Sequence, residues 1–99
     1  MLDRLKSADF VPLLHQTFRI ALDQDHSIDL ELVGVTELGE AFQPGLRKPF
    51  SLHFLGPVSS QYLLQHIFRL ENERIGMLDL FIVPVGLEAG RMCYEAIFT

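Results

Sequence analysis

The chain has 99 residues, with 8 Lys or Arg against 13 Asp or Glu and a net charge of −5. That length fits one domain with its own core. The single cysteine, Cys93, excludes an internal disulfide framework and a cysteine-based zinc site. The acidic balance argues against binding a nucleic-acid backbone, which calls for a Lys/Arg surface. The opening run Met1–Ser7 alternates charge with leucine and lacks the apolar core of a secretory signal. The densest apolar stretch, Leu80–Val85, is far too short to span a bilayer. The expectation is a cytoplasmic protein with no membrane contact, and a lone thiol fits a reducing compartment.

The first element is a short helix over about residues 7–15. Asp9 as its cap places Pro12 in the first turn, where the missing N–H is harmless. Phe10, Leu13 and Leu14 form its apolar face. The period then changes from helical to two. Phe18, Ile20 and Leu22 alternate with Arg19, Ala21 and Asp23, and Ile28, Leu30 and Leu32 alternate with Asp29 and Glu31. The polar stretch Asp23–Ser27 suits a hairpin loop. Pairing Leu22 with Ile28 sets Ile20 against Leu30 and Arg19 against Glu31, so one register serves both faces. Gly34 interrupts the alternation and marks a bulge or bend.

Leu38–Lys48 reads as an exposed loop. Phe50, Leu52 and Phe54 form a third strand that Gly56-Pro57 ends. Tyr62–Leu70 is the fourth strand and Ile75–Val83 the fifth. Pairing Leu70 with Leu78 matches Phe68 with Leu80 and Arg69 with Asp79. Pro84 marks the end of pairing or an edge, since it has no N–H for a ladder. Met92–Phe98 is the last strand, with Tyr94, Ala96 and Phe98 opposing Ile82, Leu80 and Leu78. Six strands in three hairpins predict an all-β, mostly antiparallel meander over the whole of residues 1–99. The economical solution is a closed or nearly closed barrel, its helix plugging one end or covering a seam. A two-sheet β-sandwich is the alternative.

The runs Pro49–Pro57, Phe68–Glu71, Leu80–Gly86 and Tyr94–Phe98, with the opening Asp9–Leu13 before Thr17-Phe18, resemble a family of small bacterial domains of unknown function. The resemblance covers most of the chain from about Phe10 and rests on strand patterns. It implies an all-β domain with a short N-terminal helix. Some members are encoded near phage-tail-collar-like proteins, which implies an accessory role in a tail-like assembly. No catalytic residue comes with it. The chain departs from the pattern at Leu63–His66, where more turn-like residues are expected.

The chemistry-bearing residues form no recognisable catalytic or metal set. Asp23, Asp25 and Ser27 imitate the start of a calcium loop, but Ile28 stands where glycine is needed and Gly34 where glutamate is needed. His15, His26, His53 and His66 show no metal-ligand spacing. Ser51 and His53 share a strand face, with no acid placed to orient the imidazole. Cys93 has no basic neighbour to activate it. The expectation is no enzyme, no metal and no cofactor.

The outward parity of the last two strands is more telling. Met77, Phe81 and Val83 lie opposite the core parity, and Cys93 and Ile97 share that side across the hairpin. A strand apolar on both sides is covered on both sides. Either the N-terminal helix covers this surface, or it is a contact for a protein partner or a second copy. The loop pair Arg47 and Lys48 is a secondary contact candidate. The competing class is a small-ligand-binding barrel with Tyr62 and His66 at a cavity mouth.

Overall fold

The computed structural model describes residues 4–99. Six antiparallel strands close into a barrel, and the sandwich alternative falls away. The strands are β1 (Thr17–Ala21), β2 (Ser27–Glu37), β3 (Phe50–Val58), β4 (His66–Asn72), β5 (Gly76–Glu88) and β6 (Arg91–Phe98). Around the barrel they run β1-β2-β3-β6-β5-β4, with β4 returning to β1 through Arg19↔Glu71 and Ile20↔Leu70, so the order is not the expected meander: β3 pairs with β6 and not with β4. Closure gives every strand a neighbour on both sides over at least part of its length, where an open sheet would leave two whole edge strands bare. The core is the inward parity of every strand, with Phe18, Ile20, Leu30, Leu32, Leu52, Phe54, Leu70 and Ile82 all but inaccessible to solvent.

The N-terminal segment is shorter than the expected 7–15 helix. Helix α1 spans Ser7–Phe10 and tightens into a 3-10 turn over Val11–Leu13. Asp9 is not the cap. It sits at the third helical position, where its carboxylate accepts from the Lys6 backbone N–H at 2.8 Å. Pro12 falls in the 3-10 turn, and His15 then takes a left-handed conformation (φ 69°) that ends the helix and aims the chain into β1. Phe10 and Leu13 are buried at the barrel end. The Phe10 ring packs 5.8 Å from Phe50 and 5.5 Å from Phe98, which themselves stack at 4.6 Å. The helix is therefore a plug for one end and does not cover the outward face of β5 and β6.

Two registers differ from expectation by two residues, which preserves parity. β1 and β2 pair Ile20↔Ile28 and Arg19↔Asp29 in place of Ile20–Leu30 and Arg19–Glu31. The cause is the hairpin loop. Asp23 accepts from the N–H groups of Asp25 and His26 at 2.8 and 2.9 Å, while Leu22 and Asp23 both donate to the His26 carbonyl. That five-residue turn excludes Leu22 from the ladder and leaves it exposed. β5 and β6 likewise pair Pro84↔Tyr94, not Ile82 with Tyr94. Two other expectations hold. β4 and β5 pair Leu70↔Leu78, Phe68↔Leu80 and Arg69↔Asp79, and the β2–β3 register shifts beside Gly34.

Three strand boundaries also move. β3 runs through Gly56-Pro57 to Val58, with its register on β6 shifting there. β4 begins at His66, not Tyr62, and the segment before it, Ser59–Gln65, joins no strand ladder. Leu63 packs on the core there, and its backbone N–H donates to the buried Tyr94 hydroxyl at 2.8 Å. β5 does not stop at Pro84. It continues to Glu88 on β6, with a bulge between Pro84 and Gly86 that absorbs the proline.

Candidate functional site

On the outward side of the sheet, β4 brings Ile67 directly opposite Phe81 of β5. Ile97 stands on the neighbouring β6, outward of the buried Ala96 and Phe98. Ile67 is 61%, Phe81 53% and Ile97 57% exposed, so three large apolar side chains form an exposed row across three strands, with nothing over them among the described residues. Met77 is exposed further down β5, while Val83 and Cys93 are only half-buried members of the expected set. Of the five expected interface residues, Met77, Phe81 and Ile97 are therefore truly exposed. Ile67 was missed, because a strand starting at Tyr62 offers several outward positions and nothing in the sequence singles out this one.

The row sits beside a break in the sheet. The β5–β6 ladder runs from Glu88↔Arg91 to Val83↔Glu95 and goes no further. Leu80 and Phe81 then lie beside Ala96 and Ile97 across a cleft of about 180 Å³, with Arg47 and Thr99 at its rim. The expected pairs Leu80–Ala96 and Leu78–Phe98 are thus absent. β5 hands over from β4 to β6 at Ile82 and Val83. Each half of this thirteen-residue strand has a strand neighbour bonded on one side only.

Charged pairs frame the face. Arg69 grips Asp79 with two bonds of 2.9 and 3.1 Å below the apolar row. The guanidinium holds the Asp79 carboxyl below the usual carboxylate range. His53 meets Glu95 at 2.9 Å across β3 and β6. Behind the face, Arg91 donates to the Gly56 carbonyl at 2.7 Å and to Glu31 at 3.3 Å, and His15 meets the other Glu31 oxygen at 3.1 Å. His15 first and Arg91 second lower the Glu31 carboxyl. Burial raises the Cys93 thiol, with Glu88 and Glu95 adding to it, which opposes the thiolate that chemistry at sulfur requires.

The other expected sites separate. Arg47 is turned inward as a strut: it donates to the Thr99 and Leu5 carbonyls at 3.1 and 2.7 Å and lies over the Phe98 ring at 5.3 Å. Lys48 remains exposed, 3.7 Å from Glu40. Tyr62 lines a surface cleft of about 330 Å³ with Leu22, Ile28 and Leu63, and His66 is not part of it. His66 pairs with Ile82 but stands exposed at the rim, its ring edge-on to Phe68 at 5.4 Å. The barrel interior is filled by side chains, with Tyr94, Phe18 and Phe54 buried at its centre, so the two residues do not flank a cavity mouth.

Asn72 is the residue whose role the sequence concealed. It is 3% exposed and every polar atom is used. Its Oδ1 accepts from the Arg74 and Ile75 N–H groups, and its Nδ2 donates to the Thr17 carbonyl and Gln16. It shapes the β4–β5 turn and ties it to β1. Among the described residues, no cluster of three His, Cys, Asp or Glu side chains converges as a metal site. No helix among them is long and apolar enough to cross a membrane.

Fold and site together define a small closed β-barrel, plugged by a helix, with an uncovered apolar row beside an interrupted ladder. The chain belongs to a family described as a domain of unknown function (DUF6916), which it matches over residues 5–98. No curated protein and no solved structure matches it.

Proposed function

We propose that this barrel is a non-enzymatic protein-interaction module that docks through the outward face of β4, β5 and β6 and works inside a larger assembly. The observation that supports it most is the exposed row Ile67, Phe81 and Ile97, which the N-terminal helix leaves open by plugging the barrel end instead. Aromatic and aliphatic side chains clustered this way are the usual centre of a protein contact. A tail-like assembly is the kind that the sequence resemblance implies. A cytoplasmic location belongs to the same proposal and agrees with the free thiol of Cys93.

The test is affinity capture from the source cell with two baits, the wild-type chain and Phe81→Asp, both checked for a native melt. A partner held by the wild type and released by the variant supports the reading. Equal retention by both baits, or no stable partner for either, contradicts it.

A further inference from the structure

Resting on the docking reading above, we infer that the partner is a different protein, and that it enters the seam between β5 and β6 with an extended, apolar and basic segment as an added strand. The seam is an unfinished stretch of barrel wall. β5 is laddered to β4 from Gly76 to Ile82, and to β6 only from Val83 to Glu88. β6 is laddered to β3 as far as Phe98, but to β5 only as far as Glu95. Alternate residues of a strand turn their N–H and C=O groups to each side. Below Val83↔Glu95, therefore, one side of β5 and one side of β6 face each other across the cleft of about 180 Å³ with no ladder between them. The core shows the same gap. Leu80 and Phe98 at the cleft are 4% and 5% exposed, whereas Leu32, Leu52, Phe54 and Leu70 have no exposed surface.

Two facing strand edges call for an extended chain, whose donors and acceptors match theirs in spacing. The cleft is closed at one end by the Val83↔Glu95 pair and has Thr99 at the other, so the segment enters from the Thr99 end. Strands that hold a third between them lie about 9.5 Å apart, so entry spreads the two edges about the Val83↔Glu95 pair. The side chains of an added strand alternate between the two faces. Those turned inward meet Leu80 and Ala96, the smallest side chain of the apolar core, and so are apolar. Those turned outward stand between Phe81 and Ile97, which makes the exposed row the flank of the added strand. Charge selects the rest. The charged outward side chains of the three strands beside the row are one base, Arg69, against three acids, Glu71, Asp79 and Glu95. Arg47, at the Thr99 end, is turned onto the Leu5 and Thr99 carbonyls. Lys or Arg at the outward positions of the segment answers the acidic surplus, and a second copy of this chain, at −5, does not.

The experiment is selection from a random-peptide display library on the full chain, followed by binding of the strongest selected peptide in synthetic form. The expected peptides alternate apolar residues with Lys or Arg and lack proline. Methylating two consecutive backbone nitrogens of the peptide should weaken binding by about tenfold or more, because an added strand is bonded on both sides. Binding should weaken with salt. Phe81→Ser/Ile97→Ser removes the flank without adding charge, and should abolish binding with an unchanged melt, since both side chains are exposed. Amide hydrogen exchange should slow on both walls of the cleft, over Asp79–Phe81 and Ala96–Phe98. A library that yields no binder, acidic binders or binders with helical spacing overturns the inference, and leaves the docking face to the affinity capture above. A peptide that tolerates the methylation, or leaves one wall exchanging as before, overturns it too: such a peptide docks on the row from outside, and the docking reading survives without the strand. A peptide held equally by the double serine variant binds elsewhere and also overturns it.

Discussion

Replacing Phe10 with alanine should cost the fold about 3–5 kcal/mol, the range for deleting a buried aromatic ring. Phe10 has no exposed surface, and its ring meets Phe50 and Phe98, the pair that stacks across β3 and β6 at the plugged end. Helix α1 has four residues and cannot hold itself, because a helix that short has not recovered its nucleation cost. Without Phe10 the plug should come away and leave Phe50 and Phe98 open to water. A domain of this size holds only about 5–15 kcal/mol in total, so the loss is a large share. Urea unfolding followed by circular dichroism should show the midpoint falling by more than about 1 M for a typical small-domain slope. Phe81→Ala, in the same chain and the same assay, should move stability by no more than about 1 kcal/mol. A loss below about 1 kcal/mol for Phe10→Ala would refute the plug, since no buried ring in a packed end is removed that cheaply.

Asn72→Leu should cost roughly 1–3 kcal/mol, because two turn N–H groups and the Thr17 carbonyl lose a part-buried partner; thermal melts measure it. Ala89→Asn should stabilise by about 0.5–1 kcal/mol, since Ala89 and Gly90 both hold positive φ in the β5–β6 hairpin and Asn-Gly is the favoured pair there. Asp23, Glu31 and Asp79 all have carboxyl groups lowered by their partners, so their contribution is present above the ordinary carboxylate range and is lost as the pH falls through it. The melting temperature should accordingly drop below about pH 4.5, and Asp79→Asn should flatten that slope. Cys93 should react with a thiol reagent more slowly than a free thiol at neutral pH, judged by its labelling rate.

Strand parity was legible because alternation survives any even shift, and the β4–β5 register was legible because Arg69 and Asp79 reinforce the apolar match. The β1–β2 register was not. Arg19 has an acid at both Asp29 and Glu31, and an Asp23 turn formed by backbone bonds chooses between them. The overrun of β5 was hidden for a related reason: Pro84 argues for a stop, and only the bulge beside it lets pairing resume. At the candidate site Phe81 and Ile97 followed from parity, whereas their exposure did not. Whether α1 lies on the face or in the barrel end is decided by where Phe10 finds a pocket between Phe50 and Phe98, three segments far apart in the chain.

The row across β4, β5 and β6 is exposed in the folded protein, and association is its proposed role. Phe81→Asp tests it most directly when its unfolding free energy is measured beside its retention of partner. The variant should change stability by no more than about 1 kcal/mol and lose the partner held by the wild type. A loss of about 3–5 kcal/mol, the signature of a charge stranded in a buried site, would mean instead that the face is covered within the monomer and is no docking surface.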